Sequence, residues 1–321
     1  ERRVPQDGRF RIRALGKEVD IRLSLLPTVH GEKIVMRTLD KSSLAPTLAA
    51  LGLDPAAYAK LMFAVQQPHG LILVTGPTGS GKTTTLYSAL QELNRPDVNI
   101  TTVENPVEYQ LRGINQVAIN EGVGLSFAAA LRSILRQDPD IVLVGETRDN
   151  ETADIAVKAA LTGHLVMTTL HTNDAPGAVA RLVYMGIEPF LLASSLLASQ
   201  AQRLVRRICD NCREPYELDP EYARKNHIPT EVFEGAELYH GRGCSRCGNT
   251  GYKGRTSIME VMLVTKPLRE AILRSANAGE LRQLADKEGF HDLRTCGFLR
   301  VKEGATTIEE VLRVTEGEVD E

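Results

Sequence analysis

The feature that most restricts the fold of this chain is a glycine-rich loop at residues 76–83. Its sequence is Gly76-Pro77-Thr78-Gly79-Ser80-Gly81-Lys82-Thr83. The loop matches the pattern G-x-x-x-x-G-K-[ST], and it stands between an apolar run typical of a buried strand and a helical pattern. Glycines let consecutive N–H groups point at phosphate oxygens, and the helix adds its positive end. The sequence therefore predicts a phosphate-binding loop rather than an accidental glycine-rich turn.

The side chains at the end of this loop suit a nucleotide bound with Mg²⁺. Lys82 can place a cation on the β and γ phosphates, and Thr83 offers its hydroxyl to the metal ion. We predict that residues 76–83 and the adjoining Thr84 contact ATP.

The surrounding sequence predicts an α/β fold, because apolar strands alternate with amphipathic helices from residue 61 onward. Strands are predicted at 71–75, 100–104, 141–144 and 165–170, and helices at 82–93, 126–137 and 151–161. Asp149 and Asn150 are N-cap candidates for the last of these helices, and Gly163 ends it. Asp174 with a following proline opens another helix, and an apolar-faced run at 189–205 comes next.

The amino-terminal segment predicts a small antiparallel sheet. Residues 8–26 alternate between apolar and polar side chains, with a turn at Gly16-Lys17, so this part forms a hairpin. A third strand at 33–37 follows a turn at His30-Gly31. One face of this sheet is basic, with Arg9 and Arg22 among its side chains.

The gross composition bounds the class of protein. The 321 residues include 38 Lys and Arg and 41 Asp and Glu, and this near balance leaves no global charge that would recruit nucleic acid or a membrane surface. No apolar run approaches the roughly 18 residues that a membrane span needs, and no signal peptide is recognisable. We expect a cytoplasmic protein of two or three compact units. A start in charged sequence without Met indicates a fragment of a longer protein.

Acidic side chains follow two of the predicted strands. Glu146 stands at the carboxyl end of the 141–144 strand, the sheet edge where ligands bind in open α/β folds, and Gly145 replaces the more usual Asp. Glu146 can hold Mg²⁺ through water or polarise the attacking water. Glu104 and Glu108 follow the 100–104 strand, and solvated loop acids are the alternative interpretation.

Two histidines bracket the predicted strand at 165–170. In a strict strand, the spacing of His164 and His171 places them on opposite faces, so they need not act together. A packed or surface histidine is the alternative for each.

Four of the five cysteines form two C-x-x-C pairs, Cys209 with Cys212 and Cys244 with Cys247. Such a set suits a closed tetrahedral Zn²⁺ site, which is structural because no position is left for water. Disulfides are the alternative, which a cytosolic compartment disfavours. Nucleic-acid contact by this segment is disfavoured too, since interleaved aromatic residues are missing. Cys296 is interpreted as a packed or idle thiol.

Together these blocks resemble one family over essentially the whole chain, the secretion ATPases that power type IV pilus assembly and type II secretion. Besides the phosphate loop, four stretches are similar to family motifs: an Asp box at 104–108, a Walker B block at 131–149, a His box at 162–174 and a tetracysteine region within 201–255. Pilus retraction ATPases of the same superfamily lack the tetracysteine insert, so the resemblance favours an extension or secretion motor.

The resemblance implies a RecA-like P-loop NTPase core with a partial PAS-like β domain, a zinc-bound insert and a helical carboxyl-terminal cap. The implied divisions are the carboxyl-terminal part of the PAS-like domain at 1–40, a linker at 41–60, the ATPase core at 61–206, the zinc-binding subdomain at 207–256 and the helical subdomain at 257–321. The chain begins inside the family's second amino-terminal domain.

It also implies roles for individual residues. Glu146 is the Walker B or catalytic glutamate, Glu104 and Glu108 are acids near metal and water, and His164 and His171 sense the γ-phosphate. Arginines of the amino-terminal sheet reach the nucleotide, with Arg9 and Arg22 preferred over Arg37, and a solvated basic face is the alternative. Asn105 stands where the family usually has Asp. This removes one possible metal ligand and makes Glu104 and Glu108 more important for metal binding.

For function, the resemblance implies a homo-hexameric ATPase at the cytoplasmic face of the inner membrane. It would push on an inner-membrane platform protein to add pilin subunits, and membrane association would come through such partners. Stretches 127–133 and 171–176 favour pilus assembly over the pseudopilus of type II secretion. A DNA-translocating ring motor and a nucleotide-dependent scaffold are the alternatives of other classes, and no direct nucleic-acid binding is expected.

Overall fold

The computed structural model describes residues 1–14, 17–40 and 46–315. Its residues fall into two compact units, one formed by Glu1–Ala45 with Glu108–Gln110 and the other by Pro46–Val107 with Leu111–Glu321. Parts of three sequence-based predictions lie outside the described residues: the turn at Gly16, the linker at 41–45 and the last segment of the helical subdomain at 316–321.

The first unit is an antiparallel sheet in the order β1-β2-β3. Its strands are β1 (Gln6–Ala14), β2 (Lys17–Thr28) and β3 (Gly31–Asp40). Arg22 of β2 lies opposite Arg9 of β1 and Arg37 of β3, so three arginines form one row across the sheet. The register confirms the predicted hairpin and third strand.

The second unit is built on a sheet that, among the described residues, has seven strands in the order β12-β9-β4-β8-β7-β5-β6. All neighbours pair in parallel except β12, which is antiparallel to β9. The strands of this unit, including the separate pair β10 and β11, are β4 (Gly70–Thr75), β5 (Ile100–Glu104), β6 (Asn115–Ala118), β7 (Ile141–Val144), β8 (Leu165–Leu170), β9 (Leu196–Ile208), β10 (Arg213–Tyr216), β11 (Leu238–Gly241) and β12 (Tyr252–Leu263).

Helices connect these strands and continue to the carboxyl end of the described chain. They are α1 (Pro55–Val65), α2 (Lys82–Leu93), α3 (Phe127–Ile134), α4 (Asn150–Leu161), α5 (Ala175–Tyr184), α6 (Pro189–Ser195), α7 (Pro220–Lys225), α8 (Lys266–Leu273), α9 (Ala278–Asp286), α10 (Leu293–Lys302) and α11 (Ile308–Thr315). Among the described residues, no helix combines the length and apolar character that a membrane crossing requires.

Local signals explain where several of these helices begin. Asp149 caps α4 by accepting a hydrogen bond from the Thr152 N–H at 2.8 Å, and Asp174 caps α5 by accepting from the Gly177 N–H at 2.6 Å. Each carboxylate satisfies one of the N–H groups that a helix leaves free at its start. Both caps agree with the sequence-based prediction, and Asn150 is the first residue of α4 rather than its cap.

The parallel sheet carries a continuous apolar core. Strands β4, β7 and β8 contribute Leu71, Leu73, Val142, Val144 and Val166, each at most 1% exposed, and the helices cover them with small residues such as Ala156 and Ala178. Burying one such aliphatic side chain stabilises the fold by about 1.5 to 3 kcal/mol. The arrangement is the predicted α/β class, and its parallel strands direct their carboxyl ends to one edge.

The apolar run at 189–205 divides into two elements, the short helix α6 and the strand β9. Strand β9 is buried along most of its length, so its residues do not alternate between apolar and polar. Helix α1 runs across residue 60 and β12 runs across residue 256, the predicted ends of the linker and of the zinc-binding subdomain.

Candidate active site

The phosphate loop leaves β4 at Gly76 and enters α2 at Lys82. Gly76, Gly79 and Gly81 have φ angles of 139°, 83° and 92°, a region that side chains with a Cβ atom rarely adopt. A Cβ atom on Gly76 would also lie 2.5 Å from the backbone oxygen of Gln202. The loop geometry therefore depends on glycine, as the motif predicted.

Lys82 lies folded over this loop. Its ammonium donates to the backbone oxygens of Gly76 at 2.7 Å and Pro77 at 3.1 Å. Burial lowers the pKa of Lys82, the charge of Glu146 opposes that change, and the charge of Arg203 adds to it. Glu146 and Arg203 therefore both lie close enough to act on the charge of Lys82. Thr83 and Thr84 are partly buried in the first turn of α2.

Glu146 follows β7, and the backbone on both sides of it is fixed to the neighbouring strand β8. The Thr169 hydroxyl donates to the Gly145 backbone oxygen at 2.7 Å, and the Thr147 N–H donates to the Thr169 oxygen at 3.0 Å. The hydroxyls of Thr147 and Thr168 are 2.8 Å apart. All three threonines are buried, so Glu146 projects from a rigid hydrogen-bonded base.

The Glu146 carboxylate itself lies between a cation and an imidazole. Arg148 Nε is 2.8 Å from one carboxylate oxygen, and His171 Nε2 is 3.9 Å from the same atom. Burial and the charge of Lys82 lower the pKa of His171, while Glu146 raises it, and the resultant shift is downward. The downward shift favours the neutral form of the His171 imidazole.

The two glutamates of the 104–108 stretch have different surroundings. Glu104 is buried at the end of β5 and accepts hydrogen bonds from the Tyr87 hydroxyl, the Thr102 hydroxyl at 2.6 Å and the Gln116 amide at 3.3 Å. Glu108 belongs to the first unit, where the Arg22 guanidinium donates to it at 3.0 Å. Glu104 is thus held by three donors inside the core, and Arg22 has a carboxylate partner.

His164 stands at the other end of β8 from His171. Its Nδ1 is 3.0 Å from the Ala159 backbone oxygen, and its own oxygen accepts from the Gly70 N–H at 3.0 Å. Because the phosphate loop follows the carboxyl end of the parallel strand β4, the structure brings His171 but not His164 to that edge. The six residues of β8 span roughly 20 Å. The arginines of the first unit, Arg9 and Arg22, keep their role at the nucleotide as a prediction only.

Strand β9, for which the sequence predicted no role at the nucleotide, forms a wall of this site beside β4. Arg203 of β9 is buried and donates to the backbone oxygens of Gln202 at 3.2 Å and Asn173 at 2.9 Å. Asn173 follows His171 closely, so β9 joins the phosphate loop to the His171 loop. In the sequence, the only indication of this role was that polar residues interrupt the apolar run at 189–205.

The four cysteines of the two C-x-x-C pairs converge at the end of β9. All four Sγ atoms lie within 4.8 Å of one another, with separations of 3.9 Å for Cys209–Cys244 and Cys212–Cys247 and 3.7 Å for Cys244–Cys247. Four sulfurs about 2.3 Å from a tetrahedral Zn²⁺ stand about 3.8 Å apart, so the cluster fits that ion. Buried Cys296 packs elsewhere, with Sγ 3.5 Å from the His291 backbone oxygen.

Backbone N–H groups donate hydrogen bonds to the sulfur atoms of this cluster. Gly243 donates to Cys212 Sγ at 3.3 Å, while Cys244 and Gly251 donate to Cys247 Sγ at 3.2 and 3.3 Å. Burial opposes ionisation of Cys247, but these two donors, together with the thiols of Cys244 and Cys212, lower the pKa of its thiol to about 6. Donors of this kind stabilise thiolates and are typical of metal-binding knuckles.

The fold and site define the class first: an α/β P-loop protein whose phosphate loop meets a strand-end glutamate and a histidine at one sheet edge. Residues 1–313 match the family described as type II/IV secretion system protein. The chain belongs to that family, as the resemblance indicated.

Curated relatives include both branches of the family. The chain is 53% identical over 314 residues to the type IV pilus assembly ATPase PilB of Myxococcus xanthus, which covers 97% of this chain and 56% of that protein. It is 52% identical over 319 residues to the type II secretion system protein E of Dickeya dadantii, covering 99% of this chain and 63% of that protein. The chain therefore spans less than two thirds of the length of these relatives.

A solved structure supports the same fold. The crystal structure of the pilus retraction motor PilT with bound ADP has a TM-score of 0.69 to this chain at 27% identity, covering 98% of this chain and 78% of that one.

Proposed function

We propose that this chain is the ATPase part of a secretion motor, which hydrolyses ATP in the presence of Mg²⁺ and converts the reaction into mechanical work. The observation that carries the proposal is the meeting of Lys82, Glu146 and His171 at the carboxyl edge of the sheet. Phosphoryl transfer needs chiefly positioning and charge stabilisation, and this edge supplies donors, a cation and a carboxylate.

In the proposed mechanism, the N–H groups of the phosphate loop and the Lys82 ammonium bind the β and γ phosphates. The Thr83 hydroxyl would hold Mg²⁺, which would supply positive charge beside the phosphate oxygens. Glu146 orients or deprotonates the attacking water, and the Nε2 edge of neutral His171 senses the γ-phosphate. Arg148 shields the Glu146 carboxylate, so its displacement on nucleotide binding would free Glu146 to accept a proton.

Glu104 receives a different role in this proposal. Its carboxylate is already engaged by Tyr87, Thr102 and Gln116, so it fixes the end of β5 rather than contacting the water directly. Glu108 and Arg22 form an ion pair in the first unit. We infer that Arg22 exchanges this partner for nucleotide phosphate during the working cycle, with Arg9 next to it in register as the second candidate.

The cysteine cluster is proposed as a structural zinc site. Its ligands, Cys209, Cys212, Cys244 and Cys247, leave no coordination position for a reacting group, so the ion stabilises the segment at 207–256. The other divisions are proposed as the sequence suggested: the remainder of a PAS-like domain at 1–40, a linker at 41–60, the ATPase core at 61–206 and a helical subdomain at 257–321.

For the whole protein, we propose a homo-hexamer at the cytoplasmic face of the inner membrane that drives pilin polymerisation in type IV pilus assembly through a platform protein. Support comes from the name of the PilB relative and from stretches 127–133 and 171–176. The protein E relative, at nearly equal identity, supports type II secretion as the second candidate.

Turnover of a Glu146→Gln variant tests the ATPase proposal. The amide keeps the shape of the side chain and cannot accept a proton, so we expect a rate of phosphate release about 10² to 10³ times lower, with ATP binding retained. Glu151→Gln, which changes an exposed glutamate of α4, is the matched control and should keep the wild-type rate. Equal rates for wild type and Glu146→Gln would remove Glu146 from the mechanism, and absence of wild-type turnover would refute the enzyme itself.

A further inference from the structure

We propose that Gln202 is a positioning residue for the phosphate loop: its side-chain amide holds the loop and the start of α2 in the nucleotide-binding shape. This inference rests on the proposed ATPase function. It concerns a residue of β9, far along the chain from every part of the loop.

The two ends of the Gln202 amide are bonded to the two sides of the loop. Its Nε2 donates to the Ser80 backbone oxygen at 2.8 Å, and its Oε1 accepts from the Thr85 hydroxyl at 2.9 Å. Ser80 lies inside the loop, whereas Thr85 is the fourth residue of α2. One side chain therefore links the loop to the helix whose N-terminus faces the phosphates.

Gln202 and its two partners are buried, so the loss of either hydrogen bond would leave a polar group without a partner. Gln202 is 1% exposed, and its two partners are 3% and 2% exposed, so water cannot replace a lost bond easily. The loop rests directly on Gln202, because a Cβ atom on Gly76 would lie 2.5 Å from its backbone oxygen and one on Gly81 would lie 3.2 Å from its Nε2. A side chain at Gly76 or Gly81 would therefore collide with or crowd Gln202.

The consequence for binding follows from the chemistry of the loop. Phosphate recognition requires several N–H groups to converge on one point, and each peptide unit that rotates removes a donor. By fixing the Ser80 oxygen on the side of β9, Gln202 orients the Ser80–Gly81 peptide unit, so the N–H of Gly81 keeps its direction. A preorganised loop binds phosphate without first losing conformational entropy.

The test is nucleotide affinity of a Gln202→Leu variant, measured by titrating the 321-residue chain with a fluorescent ADP analogue and Mg²⁺. Leucine keeps the volume and removes both bonds, so we expect the dissociation constant to rise about tenfold. Thr85→Val removes one partner and should raise it about threefold, and Thr85→Ser, which retains the hydroxyl, should restore it to within about twofold of wild type.

Gln200→Leu is the matched control. Gln200 is equally buried on β9 and donates to Gln202 Oε1 at 3.0 Å and to Met259 Sδ at 3.2 Å. Because the Thr85 hydroxyl still reaches Oε1 in this variant, we expect the nucleotide dissociation constant to stay within about twofold of wild type. Thermal melting of all variants without nucleotide distinguishes a loss of fold from a loss of affinity.

Three results would overturn the inference. Wild-type affinity in Gln202→Leu would show that the amide does not position the loop. Equal losses in Gln200→Leu would assign the effect to the packing of β9, and failure of Thr85→Ser to restore affinity would exclude the hydroxyl bond. Failure of wild type to bind nucleotide would instead refute the proposed function, so the two failures are distinguishable.

Discussion

His171 Nε2 lies 3.9 Å from a carboxylate oxygen of Glu146, although the two residues follow different strands. Strands β7 and β8 pair in parallel, with Val144 opposite Thr168, so their carboxyl ends and the residues after them meet at one edge. The adjacent pairing of β8 with β4 brings the phosphate loop to the same edge. Strand order, and not sequence spacing, thus assembles the candidate site.

The downward pKa shift of His171 predicts the pH range in which the proposed ATPase activity is lost in acid. Burial and the Lys82 charge lower the pKa, so protonation of the imidazole requires a pH below its ordinary value of 6.5. If the neutral form is needed, the acid limb of the kcat profile lies below pH 6.5 and is lost in His171→Gln, whose activity is lower throughout. Measuring kcat from pH 5 to 8 checks this. An identical change of the profile in His164→Gln would contradict the assignment of sensing to His171.

The hydroxyl of Thr169 predicts a separation of kcat from KM. Thr169→Val removes the bond to the Gly145 oxygen while keeping the shape of the side chain, so Glu146 loses part of its support. We expect kcat to fall about tenfold with KM within about twofold of wild type, since the phosphate loop is unaffected. Thr169→Ser retains the hydroxyl and should keep most of the activity. Equal losses in both variants would indicate a packing effect.

The elements around the phosphate loop were predictable because each has a local signal. The loop's glycines, the apolar strands that become β4, β5, β7 and β8, and the Asp caps of α4 and α5 are all visible in the sequence. Strand β9 lacks the period-two pattern, because it is buried on both faces, and only the polar residues within its apolar run distinguish it. Its contribution to the site through Gln202 and Arg203 depends on sheet pairing, which periodicity does not determine.

The same limit applies to the individual site residues. The motif placed Lys82, and the strand end placed Glu146, but the three donors that hold Glu104 come from separate elements. His164 and His171 lie at opposite ends of β8, and this could be predicted because the two residues precede and follow the strand in the sequence. The partner of Arg22 could not be predicted, because side-chain pairing between distant segments leaves no pattern along the chain.

The cysteine geometry predicts one zinc ion per chain. Cys247→Ser replaces a thiolate that two N–H groups stabilise, so we expect zinc content to fall well below one and the melting temperature to drop by about 10 °C or more. Elemental analysis and thermal melting measure the two effects. Cys296→Ala is the control, since this thiol lies outside the cluster, and its zinc content should match wild type. Wild-type protein with no zinc would contradict the site.

The hydrogen bonds of Glu310 in helix α11 predict a contribution to the free energy of unfolding that depends on pH in the acid range. Its carboxylate accepts from the Arg206 N–H at 3.0 Å, from the Arg206 guanidinium at 2.5 Å and from Arg313 Nε at 2.8 Å. Burial opposes ionisation, yet these bonds lower the pKa of Glu310 from 4.5 to about 2. A lowered pKa means that the ionised group stabilises the fold above pH 4.5, and that this contribution is lost as the pH falls from 4.5 towards 2.

Glu310→Gln removes the charge and tests that dependence. Because both arginines are about half exposed, water screens the pairs, and we expect a loss of about 1 to 2 kcal/mol in the free energy of unfolding at pH 7. The difference between variant and wild type should shrink as the pH is lowered below 4.5. Urea unfolding at pH 7, 5 and 4 measures it, with Glu309→Gln, a change of the exposed neighbour, as the control. A difference that stays constant with pH would mean that the bonds to Glu310 act through shape and not through its charge.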